Sequence, residues 1–127
     1  MSVHHDPSSE PARETAAARA PVIREGILEI PGSVSLYHGG SLSGMRIAWR
    51  LAGASGAPVV CALGGISATR RPCLTDDPKQ AWWGEVVGPG RALDSGAFRV
   101  LSFDYLGGSG ETTGPGEGTG FPSVSSY

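Results

Sequence analysis

From Met45 the chain alternates, with Met45, Ile47, Trp49 and Leu51 carrying large apolar side chains and Arg46 and Arg50 standing between them. A period of two with a polar opposite set predicts a half-exposed antiparallel strand, with the odd-numbered side chains inward. Upstream, residues 26–30 and 33–37 are shorter strand candidates interrupted by Pro31 and Gly32, and the stretch from His38 to Gly44 supplies a turn. The opening therefore reads as a small β-meander. Residues 57–63 are continuously apolar and stop at Gly64-Gly65, which predicts a strand buried on both faces, as in a parallel sheet. A second run, 98–106, stops in the same way at Gly107-Gly108. The residues between them, including Trp82, Trp83, Val86, Val87 and Leu93, suffice for a loop and a short helix. Strand, crossover and strand make a parallel βαβ unit, which brings both Gly-Gly loops to one edge. Open α/β sheets place their sites there, outside the carboxyl ends of the strands.

Composition sharpens this picture at the ends of the chain. The sequence has 127 residues, with ten basic and twelve acidic side chains and a formal charge of −2. Ionisable residues are 17% of the total, below the usual ~25%, so binding of nucleic acid by bulk charge is not indicated. The 20 glycines all lie between Gly26 and Gly120, interleaved with the apolar runs, and act as punctuation between strands. Residues 1–20 hold no aromatic and almost no large aliphatic side chain. A mobile arm over 1–24 is expected, followed at 25–127 by the N-terminal portion of a larger domain truncated at its C-terminus. Two parallel strands with one crossover leave open edges, and Ser125 or Ser126 could cap a helix that the chain ends too soon to form. The absence of an apolar signal region and of a run of about 20 apolar residues makes a cytoplasmic protein the expectation.

Few residues offer chemistry. Cys61 and Cys73 are too sparse for a disulfide framework or a zinc site and are expected as reduced thiols. His4 and His5 sit in the arm with no further ligand at metal-binding spacing. Gly64-Gly65 either presents backbone N–H groups to an anion or simply closes a strand exit. The loop 106–114 has neither the order of a P-loop nor that of a dinucleotide fingerprint. Asp104 is a candidate carboxylate, but at a strand end the favoured role is to accept N–H groups of its own loop. Trp82 and Trp83 could line a substrate channel, one in the core and one facing the site, because neighbours on a helix diverge by about 100°. None of Ser41, Ser43 and Ser109 stands in a G-x-S-x-G elbow. The histidines, His4, His5 and His38, all precede the first parallel strand. A Ser-Asp-His triad cannot be assembled in the usual order, so the chain alone is expected to be inactive.

Three segments in order carry a family resemblance: 58–67 (PVVCALGGIS), 81–94 (AWWGEVVGPGRALD) and 98–115 (FRVLSFDYLGGSGETTGP). Together with the opening hairpin from His38 they resemble the homoserine O-acyltransferases of the α/β-hydrolase superfamily. The resemblance implies the first part of an α/β-hydrolase fold. It also implies acyl transfer from coenzyme A to the homoserine hydroxyl through an acyl-serine, a step of methionine biosynthesis, with all three triad residues downstream of Tyr127. Leu63 takes the position of an oxyanion-hole N–H donor in this resemblance, within a specificity segment of Ala62, Leu63, Gly64 and Gly65.

Two departures bear on the donor. Cys61 replaces the family's usual histidine and Gly64 its threonine, and smaller side chains there suit succinyl over acetyl. Succinyl-CoA is thus the expected co-substrate, with no bound cofactor or metal. Acetyl-CoA as donor and serine as acceptor are the close alternatives. Partners implied are small molecules, not nucleic acid or membrane, and a homodimer for the full-length enzyme. Two further readings are a generic esterase of the same superfamily and a non-catalytic truncated protein.

Overall fold

The computed structural model describes residues 20–108, 110–115 and 121–122. His4, His5, Ser109, Ser125 and Ser126, and most of the expected arm, lie outside them. The long hairpin forms from β1 (Val22–Ser35) and β2 (Ser41–Gly53), antiparallel from Val22↔Gly53 to Ser35↔Ser41. The two short strands expected before the turn are one strand, whose register slips between Ile30 and Ser33. Pro31 has no N–H for the ladder and Gly32 takes φ +76°, so the irregularity falls where the chain tolerates it. Because β1 starts at Val22, the boundary of the arm at residue 24 is too late: Val22, Ile23 and Arg24 pair with Gly53, Ala52 and Leu51.

β3 (Val59–Cys61) follows, then a crossover that contains β4 (Val87–Gly88) and β5 (Leu93–Asp94), and then β6 (Arg99–Phe103). β3 and β6 are parallel neighbours, β6 also pairs antiparallel with β2, and the sheet order is β1-β2-β6-β3. The parallel unit and the shared edge thus form as the apolar runs predict. A mixed sheet, antiparallel across β1-β2-β6 and parallel at β6-β3, is the arrangement that the resemblance to the α/β-hydrolases leads one to expect.

Three expectations need correction. The crossover has no α-helix among the described residues; it holds a single 3₁₀ turn at Pro78–Gln80, capped by Asp77, and a two-stranded parallel pair of β4 and β5. Pro72, Pro78 and Pro89 remove donors, and Gly88 and Gly90 adopt φ +153° and +70°, so no helical run is long enough to propagate. β3 is not buried on both faces: Val59 is 49% exposed, because β3 is the sheet edge and bonds only to β6. Met45 is buried as expected, but beyond it the more buried face of β2 is not the odd-numbered one. Ala48, Arg50 and Ala52 are buried, whereas Ile47, Trp49 and Leu51 are half-buried.

Arg50 lies inward because the crossover packs over it and satisfies both Nη groups of its guanidinium. Nη1 donates to the carbonyl of Cys73 and Nη2 to that of Leu74. Burial lowers the Arg50 pKa from its ordinary value. The compact core beside it comprises Ala62, Cys73, Val87 and Val100, with Leu74, Trp82, Val86 and Leu93 against it. Both cysteines are free thiols; Cys61 is exposed, while burial pushes the Cys73 thiol up. Among the described residues no helix is long and apolar enough to cross a membrane.

The end of β5 carries a titrating contact. Asp94 Oδ1 accepts from the N–H groups of Gly90 at 2.9 Å and Gly96 at 2.8 Å, and these bonds hold its carboxyl below the usual range. A depressed folded-state pKa contributes stability above the unfolded value of about 3.9, lost as pH falls through the folded value. Urea unfolding from pH 6 to pH 2 is expected to show this loss. Asp94→Asn, which keeps an acceptor but no titration, should flatten the acid part of the curve; an identical slope in both proteins would remove the assignment.

Candidate functional site

Because β3 and β6 run parallel, the segments leaving them, 62–69 and 104–115, emerge at one edge of the sheet. The second segment folds back along β2. Asp104 N donates to Ala48 O at 2.9 Å, and Thr113 N to Arg46 O at 2.9 Å. In return, Ala48 N donates to Thr112 Oγ1 and Arg46 N to Thr113 Oγ1, each at 2.8 Å. Paired threonines thus extend the ladder by side chains beyond the end of β6. The Tyr105 hydroxyl donates to Gly64 O at 2.7 Å and ties the two Gly-Gly loops together.

Asp104 sits beneath this edge, 1% exposed. Its Oδ1 accepts the Arg70 backbone N–H at 2.7 Å, and its Oδ2 accepts Arg70 Nη1 and, at 3.1 Å, the Glu111 N–H. Arg70 is itself buried and reaches on to Glu111 Oε2 at 2.7 Å. Gly110, at φ +101°, leaves the carboxylate its place, since a Cβ there would collide with it. Asp104 therefore takes the loop-binding role favoured from its position and has no free oxygen aimed at solvent. Arg70 is the residue that sequence reasoning missed. The only available signal was an Arg-Arg pair shortly after a strand exit, which by itself marks an ordinary charged loop.

The oxyanion candidate lies on the open side. Leu63 is 60% exposed, and its N–H has no acceptor among the described residues. Ala62 is buried instead, its N–H donating to Leu101 O at 2.8 Å and its carbonyl accepting Ser102 Oγ at 2.7 Å. Gly64 is half-buried and Gly65 exposed. Trp82 and Trp83 do not diverge. They lie in turns, not on a helix, and their rings stack 5.6 Å apart at 12°. Trp82 Nε1–H donates to Thr69 O at 2.7 Å, and the edge of its six-membered ring abuts Gly64.

That contact changes the reading of Gly64. A side chain there would meet Ala68 Cβ and the Trp82 ring, so the glycine admits the indole and does not leave an open space beside an acyl group. Both indoles line a cleft of about 920 Å³ between the 3₁₀ turn and β4. His38 packs edge-on to Tyr37 in the β1–β2 turn, with ring centroids 5.1 Å apart. Among the described residues no serine hydroxyl is hydrogen-bonded to a histidine, and no group of acidic, Cys or His side chains could hold a metal ion.

Similar proteins agree on one family. A homoserine O-succinyltransferase of Xanthomonas campestris is 39% identical over 88 residues, covering 68% of this chain and 24% of that protein. An L-serine/homoserine O-acetyltransferase of Streptomyces lavendulae is 36% identical over 95 residues, covering 69% of this chain and 25% of its own length. The chain belongs to the homoserine O-acyltransferase family. It spans about a quarter of the length of these relatives, and no family model matches it. Among solved structures, homoserine O-acetyltransferase from Staphylococcus aureus superposes with a TM-score of 0.67 at 20% identity, over 80% of this chain and 30% of that one. Esterase E22 does so with 0.62 at 22%, over 74% and 28%. These two likenesses establish the shared fold. At the edge shared by the two Gly-Gly segments, the Leu63 N–H is open.

Gly64→Thr is expected to expel Trp82 from its seat and to destabilise the chain by about 2–3 kcal/mol, the usual cost of overpacking. Urea unfolding and the tryptophan emission maximum check this. Unchanged stability with unshifted emission would show that Gly64 does not seat the indole.

Proposed function

We propose that the protein carrying this chain transfers an acyl group from acyl-CoA to the hydroxyl of homoserine, and that Leu63 supplies one oxyanion donor. The observation that carries the reading is the exposed Leu63 with its unpaired N–H at the end of β3, in a chain of this family. In the reaction a serine Oγ, outside the described residues, adds to the thioester carbonyl, and negative charge develops on the carbonyl oxygen. The Leu63 N–H stabilises that oxygen, and such a donor is typically worth about 3 kcal/mol. The C–S bond breaks, coenzyme A leaves as the thiol, and the homoserine hydroxyl then attacks the acyl-serine to release the ester and the serine. The reading includes a cytoplasmic enzyme of methionine biosynthesis, a homodimer in its full-length form, with no bound cofactor.

Succinyl-CoA is the donor we favour. Gly64 no longer supports that choice, since Trp82 fills the space beside it. What supports it is Cys61, exposed at the end of β3, where the family pattern has the larger histidine. Acetyl-CoA as donor and serine as acceptor are the competing substrates, consistent with the names of the relatives.

A chimera tests the reading, with residues 25–115 replacing the matching segment of the Xanthomonas campestris homoserine O-succinyltransferase. It should release coenzyme A from succinyl-CoA beyond one equivalent per protein only when L-homoserine is present. A folded chimera inert toward both donors would overturn the proposal. Cys61→His in the chimera should move the donor preference toward acetyl-CoA, and an unchanged ratio would remove the succinyl assignment. The 127-residue chain alone should form no acyl-enzyme by intact mass.

A further inference from the structure

A second cleft, of about 530 Å³, opens between the start of the β1–β2 hairpin and the crossover, and it is lined by charges of both signs. Arg50 and Arg71 line it with Glu25 and Asp76, and Ile23 and Leu74 provide apolar wall. The cations are not all spent. Arg70 is committed to Asp104 and Glu111, which leaves Glu25 as the main counter-ion of the other two. One oxygen, Glu25 Oε1, lies 3.2 Å from Arg50 Nε and 3.4 Å from Arg71 Nε.

The Arg50 Nε–H is buried and makes no hydrogen bond despite that proximity, because its N–H is not aligned on the carboxylate. The Arg71 side chain is 34% exposed, and its two Nη groups have no acceptor among the described residues. A planar guanidinium with a free fork matches a carboxylate bidentately. Asp76, exposed on the same cleft and with no ion-pair partner among the described residues, can receive an ammonium group.

We propose that this cleft binds a free α-amino acid as its zwitterion, its carboxylate on Arg71, its ammonium facing Asp76 and its side chain against Ile23 and Leu74. The pairing of the open Nη fork of Arg71, whose Nε already faces Glu25, with the carboxylate of Asp76 and an adjoining apolar wall selects this class over a simple anion. A lone carboxylate would gain Arg71 but leave Asp76 repelling it; a lone amine would face the reverse. The cleft lies on the hairpin side of the crossover, and Leu63, Gly64 and Gly65 are not among its lining residues. The inference therefore stands apart from the acyl-transfer reading and concerns an additional site.

Titration of the 127-residue chain with L-leucine, L-homoserine, acetate and ethylammonium, followed by amide chemical shifts, tests it. The amino acids should shift resonances of residues 23–25, 50 and 71–76 saturably, and acetate and ethylammonium at equal concentration should not. Arg71→Gln and Asp76→Asn should each weaken amino-acid binding by about tenfold or more, the worth of one charge-assisted bond. Both sites are on the surface side of the network, and circular dichroism verifies that the variants remain folded. Absence of saturable shifts, equal binding of acetate, or full affinity in both variants would overturn the proposal.

Discussion

The carboxylate of Asp104 is the point on which the described sheet edge depends. It directly follows β6, yet its partners are Arg70 from the segment after β3 and the N–H of Glu111 from its own loop. A buried charge without partners costs several kcal/mol, and removing one member of a buried pair typically costs about 3–5 kcal/mol. Arg70 and Asp104 are 7% and 1% exposed in their side chains, so each requires the other. Two loops that leave separate strands are thereby held as one surface. The same arginine lies 3.9 Å from Glu25, which connects the edge to β1 through the group that also faces Arg50 and Arg71.

With that anchor in place, the rest of the edge follows from small residues and close contacts. Gly110 clears room for the carboxylate, and Gly64 does so for Trp82. Tyr105 reaches Gly64 O, and Thr112 and Thr113 bind the exposed backbone of β2. The outcome is a rigid rim below and an open backbone above, where Leu63 presents its N–H. Preorganised donors are effective because they need no rearrangement as charge develops. In the proposed acyl transfer the Arg70–Asp104 contact would fix the edge from which the exposed Leu63 presents its N–H.

Much of this was legible in the residue pattern. The apolar runs ending at Gly64-Gly65 and Gly107-Gly108 specify two parallel strands with a common exit, because period, length and glycine stops agree. The family was legible too, from three spaced motifs. The facing of β2 was not. Alternation places large apolar residues on one side, but the decision went to the crossover, whose Cys73 and Leu74 carbonyls can satisfy an inward Arg50 while Ala48 and Ala52 let it pack closely. No local pattern encodes a carbonyl arriving from 23 residues away. The helix expected around Trp82 failed for a related reason: the length between the two strands suffices for one, but Pro72, Pro78 and Pro89 remove its donors and Gly88 and Gly90 turn the chain. Asp104 was recognised as a loop-binding group from its strand-end position, whereas its partner Arg70 belongs to tertiary structure alone.

Hydrogen exchange on Asp104→Asn tests the central claim most directly, with amides of both segments followed in the same experiment. If the carboxylate clamps the two loops, protection at residues 68–71 and at 110–113 should fall together by about a hundredfold or more, while the amides of the β1–β2 pairing from Val22 to Leu28 stay protected. Loss confined to 110–113, or no loss in either segment, would contradict the account, because the two loops would then be held independently of Asp104.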